Sequence, residues 1–229
     1  MENGDTMIEK DRYKIISKEK MIIEMKKIVI GELDENINII KNISKNLSDI
    51  IIRASEIIMD VYESEGKVIL IGNGGSAADA QHMAAEFVGR FKLERRSLPA
   101  IALTTNTSIL TALANDYGYE NVFSRQLSSF ANDKDVLIAI TTSGNSSNIL
   151  KAVEEVKLRN IKVIGMTGRS GGKLKNMVDI LINVPSENIP RIQEAHITIG
   201  HIICYLVEKN LSDKDNMIVN KTNNFNSIA

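Results

Sequence analysis

Five short apolar runs constrain this chain most: Val68–Ile71, Ala100–Leu103, Val136–Ile140, Lys162–Met166 (apolar after its leading lysine) and Ile180–Val184 (interrupted only by Asn183). Helix-forming stretches separate them, at Ala77–Gly89, Ser108–Asn115, Asn121–Phe130, Asn148–Arg159 and, more briefly, Gly172–Asn176. Strands that are apolar on both faces need helices on both sides, so the alternation reads as an α/β fold with a parallel sheet. A last long helix is expected from Pro190, because proline suits a first helical turn.

Ahead of the first strand the pattern changes. Leu33, Ile37, Ile40, Ile43, Leu47, Ile50, Ala54, Ile57 and Val61 recur every three or four residues, the spacing of one apolar stripe on a long helix. Ile22, Ile23, Met25, Ile28, Val29 and Ile30 suggest a shorter helix before it, ending near Gly31. The expected organisation is an N-terminal extension (1–20), a helical arm for oligomerisation (21–66), the α/β domain (67–211) and a polar tail (212–229). Both ends are expected to be poorly ordered or poorly packed.

The 28 basic and 29 acidic residues nearly cancel, which leaves no electrostatic footprint for nucleic acid. The charged start MENGDTMIEKDRYK has no signal-peptide core, and no apolar run reaches the roughly 18–20 residues that span a bilayer. The single cysteine, Cys204, makes no internal disulfide. A cytoplasmic protein without nucleic-acid or membrane partners is expected.

Two loops carry the chemistry. The first strand runs into Gly72-Asn73-Gly74-Gly75-Ser76-Ala77, a glycine turn that opens a helix and can present backbone N–H groups to a phosphate. It fits the loose dinucleotide pattern, but the second strand ends at Leu103-Thr104-Thr105-Asn106, with no carboxylate for a ribose. No lysine follows the glycines, as a nucleoside-triphosphate loop requires. A turn used only for chain reversal is the plain alternative. After the third strand comes Thr141-Thr142-Ser143-Gly144-Asn145-Ser146-Ser147, five hydroxyl residues against a helix start. Hydroxyls and free N–H groups in the helix dipole field make a phosphate cradle; a simple N-cap would need one of them. Together the loops suit one phosphate with a polyhydroxylated tail, a sugar phosphate.

Of three histidines, His82 stands four residues before Glu86 on one helix face. Gln193 and His201 are two turns apart on the last helix. Two nitrogens, a carboxylate and an amide oxygen would suit a mixed zinc site. A helix-surface His82–Glu86 pair and a core His201 are the alternatives, and His196 is expected to be a surface or packed structural residue.

The blocks GNGGSAADAQHMAAEFVGRF, ALANDYGYENVFSRQ, TTSGNSSNILKAV and RIQEAHITIGHIICYLVE make the chain from about Gly31 to Asn210 resemble the sugar isomerase (SIS) domain family. Within that family the resemblance is to the phosphoheptose isomerases. It implies a five-stranded parallel sheet flanked by helices, in a homotetramer with active sites near subunit boundaries. The implied reaction converts sedoheptulose 7-phosphate to D-glycero-D-manno-heptose 7-phosphate, which in bacteria leads to activated heptose for surface polysaccharide.

The resemblance further implies one zinc ion per subunit on His82, Glu86, Gln193 and His201; for an aldose–ketose isomerisation, Glu86 is the natural catalytic base and His201 its acid/base partner. Substrate contacts carried over are Asn73, Gly74, Gly75, Glu86, Asn115, Asp116, Thr141, Thr142, Ser143, Ser146 and Gln193. Some members have serine at Thr141, which keeps the hydroxyl. Some have aspartate where this chain has Pro190, so a carboxylate role there does not carry over. Three alternatives stay open: a non-catalytic partner-binding SIS protein of the replication-initiator-associated type, a sugar-phosphate-sensing regulatory domain, and an isomerase of another phosphosugar. The set His82, Glu86, Gln193 and His201 argues for an enzyme, and the arm lacks a basic recognition helix.

Overall fold

The computed structural model describes residues 5–226, with side chains from 18 to 213. In chain order the elements are α1 (Asp5–Asn46), α2 (Ser48–Glu63), β1 (Val68–Gly72), α3 (Gly75–Val88), β2 (Ala100–Ala102), α4 (Thr107–Tyr117), α5 (Val122–Phe130), β3 (Val136–Ile140), α6 (Ser147–Lys157), β4 (Lys162–Thr167), β5 (Ile180–Asn183) and α7 (Ile189–Asn226). Single 3₁₀ turns fill Tyr119–Asn121 and Leu174–Asn176, the second lying where a short helix is expected. Every strand pairing is parallel, in the order β2-β1-β3-β4-β5.

Alternate strand residues feed two cores. Val68, Leu70, Val136, Ile138, Ile140, Ile164 and Met166 pack with α2, α3 and α7. Ile69, Ile71, Leu137, Ala139 and Val163 pack with α5 and α6 on the other face. Burial on both faces is the physical reason β1, β3 and β4 read as apolar runs, whereas the edge strands β2 and β5 are only partly buried.

The strand order places the site. From β1 the chain crosses to β2 on one side, then returns past β1 to β3 and on to β5 on the other. The carboxyl ends of β1 and β3 therefore flank the crevice where connections diverge, the usual ligand position in open parallel sheets. Both loops singled out in the sequence leave these two strands.

The arm departs from expectation. Its first helix continues through Gly31, where an exposed helical glycine costs only about 1 kcal/mol, and divides from α2 at Leu47 instead. There the Ser48 hydroxyl donates to the Ser44 carbonyl at 2.7 Å, a back-bond that bends helices. The stripe from Ile43 through Ala54 to Val61 packs in the sheet core, so α2 belongs to that core. Helical backbone also covers Asp5–Lys20 and extends to Asn226, where irregular ends are expected. The packing of residues 1–17 and 214–229 lies outside the described side chains, and residues 1–4 and 227–229 lie outside the description altogether. Among the described residues no helix is long and apolar enough to cross a membrane.

Candidate active site

Gly74 sits before α3 with φ 55° and ψ −121°, a conformation that side-chain-bearing residues avoid. No side chain caps this helix, and a Cβ at Gly74 would meet nothing within 4 Å. At this start the Ser76 and Ala77 N–H groups donate to the Asn73 and Gly74 carbonyls at 3.0 Å, and nothing covers Gly74, which leaves the glycine turn itself open to a ligand.

At the second loop, Ser146 occupies the N-cap position of α6 but makes no capping bond. Its hydroxyl lies 3.2 Å from Thr141 Oγ1. Ser143 Oγ accepts the Asn145 N–H at 3.1 Å. Gly144, at φ 65°, allows the loop to lie against Gly171, whose carbonyl a Cβ would strike. A cavity of about 300 Å³ beside the loop is lined by Thr142, Ser143 and Asn145, and also by Arg169 and Glu187.

Asn148, in the first turn of α6, joins the two loops. Its side-chain amide exchanges two 2.9 Å hydrogen bonds with the Asn73 amide, and Tyr119 Oη donates to Asn73 Oδ1 at 3.1 Å. Neither Asn148 nor Tyr119 is singled out by sequence reasoning. Asn148 stands in the hydroxyl loop's own motif, but the pairing spans 75 residues.

On α3, His82 Nε2 lies 3.1 Å from Glu86 Oε1. His201 on α7 brings its Nε2 to 3.3 Å from His82 Nε2. One ligand atom from each of the three lies within 4.8 Å of the other two. The helices reach this approach through glycines. A Cβ at Gly200 would stand 2.8 Å from Met83 Sδ, and one at Gly75 would stand 2.5 Å from Gln193 Nε2. The Gln193 carboxamide thus rests against the start of α3, two turns from His201.

The donor set fits a zinc ion: two imidazole nitrogens and a carboxylate converge, with a carboxamide on the same helix pair.

Asn115 and Asp116 close the last turn of α4 and hydrogen-bond each other at 2.8 Å. No described hydrogen bond ties them to the histidine cluster. His196 is fully buried, its Nε2 3.2 Å from the Thr167 carbonyl, and burial lowers its pKa to about 4. It is a neutral packed residue. Asp79, one turn before His82, was not foreseen: burial raises its pKa to about 6, opposed by His82, and Oδ2 is buried without a hydrogen-bond partner.

The SIS-domain family profile matches residues 33–168. The phosphoheptose isomerase of Nitratiruptor sp. is 53% identical over 178 residues, covering 78% of this chain and 95% of that protein. That of Aneurinibacillus thermoaerophilus is 58% identical over 151 residues, covering 66% of this chain and 76% of that protein. The solved phosphoheptose isomerase of Neisseria gonorrhoeae superposes with a TM-score of 0.77 at 41% identity, covering 81% of this chain and 99% of that one. The chain belongs to the SIS-domain family and, within it, to the phosphoheptose isomerases.

Proposed function

We propose that this protein interconverts sedoheptulose 7-phosphate and D-glycero-D-manno-heptose 7-phosphate through a cis-enediol(ate), supplying heptose for surface polysaccharide. The observation that carries this reading is the convergence of His82, Glu86 and His201 from two helices; the open glycine turn before α3 and the hydroxyl-rich, uncapped start of α6 support it.

Isomerisation needs a base for the C1 proton and a group that moves protons between the two oxygens. In this reading the Glu86 carboxylate takes the proton from C1 and returns it to C2. The His201 imidazole exchanges protons between O1 and O2. Hydroxyls of Thr141, Thr142, Ser143 and Ser146, with α6's N–H groups, hold the phosphate. Asn73, Gly74 and Gly75 face the sugar, with Asn115 and Asp116 as further hydroxyl contacts. His82, Glu86, Gln193 and His201 would hold zinc, which when bound supplies Lewis-acid polarisation of the substrate carbonyl.

We place the protein in the cytoplasm as a homotetramer. The support for assembly is the exposed apolar face of α1, where Met21, Ile28, Ile30 and Leu33 are each more than half exposed.

A coupled assay across five-, six- and seven-carbon ketose phosphates tests the function. Turnover of the seven-carbon substrate well above the others is expected. Inactivity on all three would favour a partner-binding protein, and preference for a shorter ketose would reassign the substrate.

A further inference from the structure

Between α3 and β2 the chain crosses the site in an irregular loop, residues 89–99, that carries Phe91. The Phe91 ring stacks on the His201 imidazole, with centroids 5.3 Å apart and planes 26° apart. A surface loop holds a ring at a fixed angle only if its backbone is itself held.

The anchor is Glu208, two turns beyond His201 on α7. Its carboxylate accepts the backbone N–H groups of three successive residues: Phe91 at 2.8 Å, Lys92 at 2.7 Å and Leu93 at 2.9 Å. The Glu208 side chain is fully buried and ion-paired with Arg95 Nε at 3.3 Å. Arg95 in turn donates to the carbonyls of Glu86 at 2.8 Å, Phe87 at 2.9 Å, Gly89 at 3.0 Å and Arg96 at 2.9 Å. Burial pushes the Glu208 carboxyl up, but the three N–H bonds and Arg95 outweigh it and hold it below the usual carboxylate range. A buried carboxylate is costly, and anchoring for stability alone is served as well by apolar packing. Three convergent N–H bonds do what apolar packing does not: they set the backbone direction from which Phe91 projects.

We propose that Glu208 is a positioning residue that acts on His201 through Phe91, fixing the plane of the imidazole so that its Nε2 points at His82 and Glu86. Arg95 ties the end of α3, including the Glu86 carbonyl, to the same anchor. The proposal rests on the reading above only in taking His201 as a working residue of the reaction.

The test uses the full-length chain and three variants: Glu208→Gln, Phe91→Leu and Phe91→Tyr. Glutamine keeps the size of Glu208 but loses the charge that holds three donors and Arg95. With three histidines in the chain, side-chain NMR resolves His201, and buried His196 serves as an internal reference. Glu208→Gln and Phe91→Leu should remove the ring-current shift on the His201 protons and leave His196 in place. Phe91→Tyr should retain the shift. In steady-state kinetics the first two should lower kcat by roughly ten- to a hundred-fold with KM within about twofold, since small misplacements act on the chemical step. Phe91→Tyr should restore kcat.

An unmoved His201 resonance in folded Glu208→Gln overturns the proposal. A moved resonance with unchanged kcat supports the positioning and overturns instead the catalytic role of His201. If Glu208→Gln does not fold, the Phe91 pair decides: equal spectra and equal kcat for leucine and tyrosine overturn the proposal.

Discussion

His201 Nε2 stands 3.3 Å from His82 Nε2, although 119 residues separate them in the chain. The approach exists because α3 and α7 meet through Gly75 and Gly200, and because both helices pack on one face of the sheet. Two imidazoles and a carboxylate at this range hold a cation far better than any one helix does. Zinc added to the purified chain should therefore raise its thermal midpoint, by the equivalent of about 2.7 kcal/mol at a hundredfold excess over Kd. His82→Ala should abolish most of that response and lower the bound metal measured by mass spectrometry. An equal zinc response in the variant would place the metal elsewhere.

Ser143→Ala and Ser146→Ala should weaken sugar-phosphate binding, each by about 1.5–3 kcal/mol, the value of a hydrogen bond to a charged group. Because Ser146 makes no capping bond, its loss should leave the melting temperature almost unchanged. Isothermal titration with sedoheptulose 7-phosphate reads the effect. Unaltered affinity in both variants would remove the phosphate from this loop.

The positions of β1, β3 and β4 were legible because burial on both faces leaves apolar runs with no competing pattern. The i, i+4 spacing of His82 and Glu86 was legible for a similar reason, since helix geometry alone puts them side by side. The division of the arm at Leu47 was not, because a helical glycine at Gly31 is a stronger local signal than a serine back-bond. Long-range polar pairs were invisible as well. Asn73 and Asn148 meet only once β1 and β3 are neighbours. Glu208 carries no local signal that it is buried, because its three N–H partners lie more than a hundred residues away in the chain.

Acid should act on stability through two groups of opposite sign, buried His196 and half-buried Asp79. His196 titrates at about 4 when folded against an ordinary 6.5, so the unfolded chain takes the proton first as pH falls. Its contribution to stability is lost from about pH 6.5 downward, reaching about 3 kcal/mol near pH 4. Asp79, raised to about 6, takes its proton first in the folded state and opposes this loss below that pH. His196→Asn should thus lose less stability than the wild type between pH 7 and 5, in urea unfolding at each pH. An equally steep loss would contradict the assignment.

Light scattering should give a tetramer mass for the full chain. Ile28→Asp combined with Leu33→Asp places two charges on the exposed face of α1 and should shift the mass downward. Retention of the tetramer by the double variant would move the contact to another surface.

The account centres on proton abstraction by Glu86, and isotope exchange reads that step directly. In deuterated water the wild type should incorporate solvent deuterium at the carbon next to the substrate carbonyl. Glu86→Gln keeps the side chain's size but removes the base, so its exchange should fall by about 10²–10⁴-fold. Substrate affinity should persist, because the loops around Gly74 and Ser143 are untouched. Exchange by Glu86→Gln at the wild-type rate would contradict the account and move the base to another group.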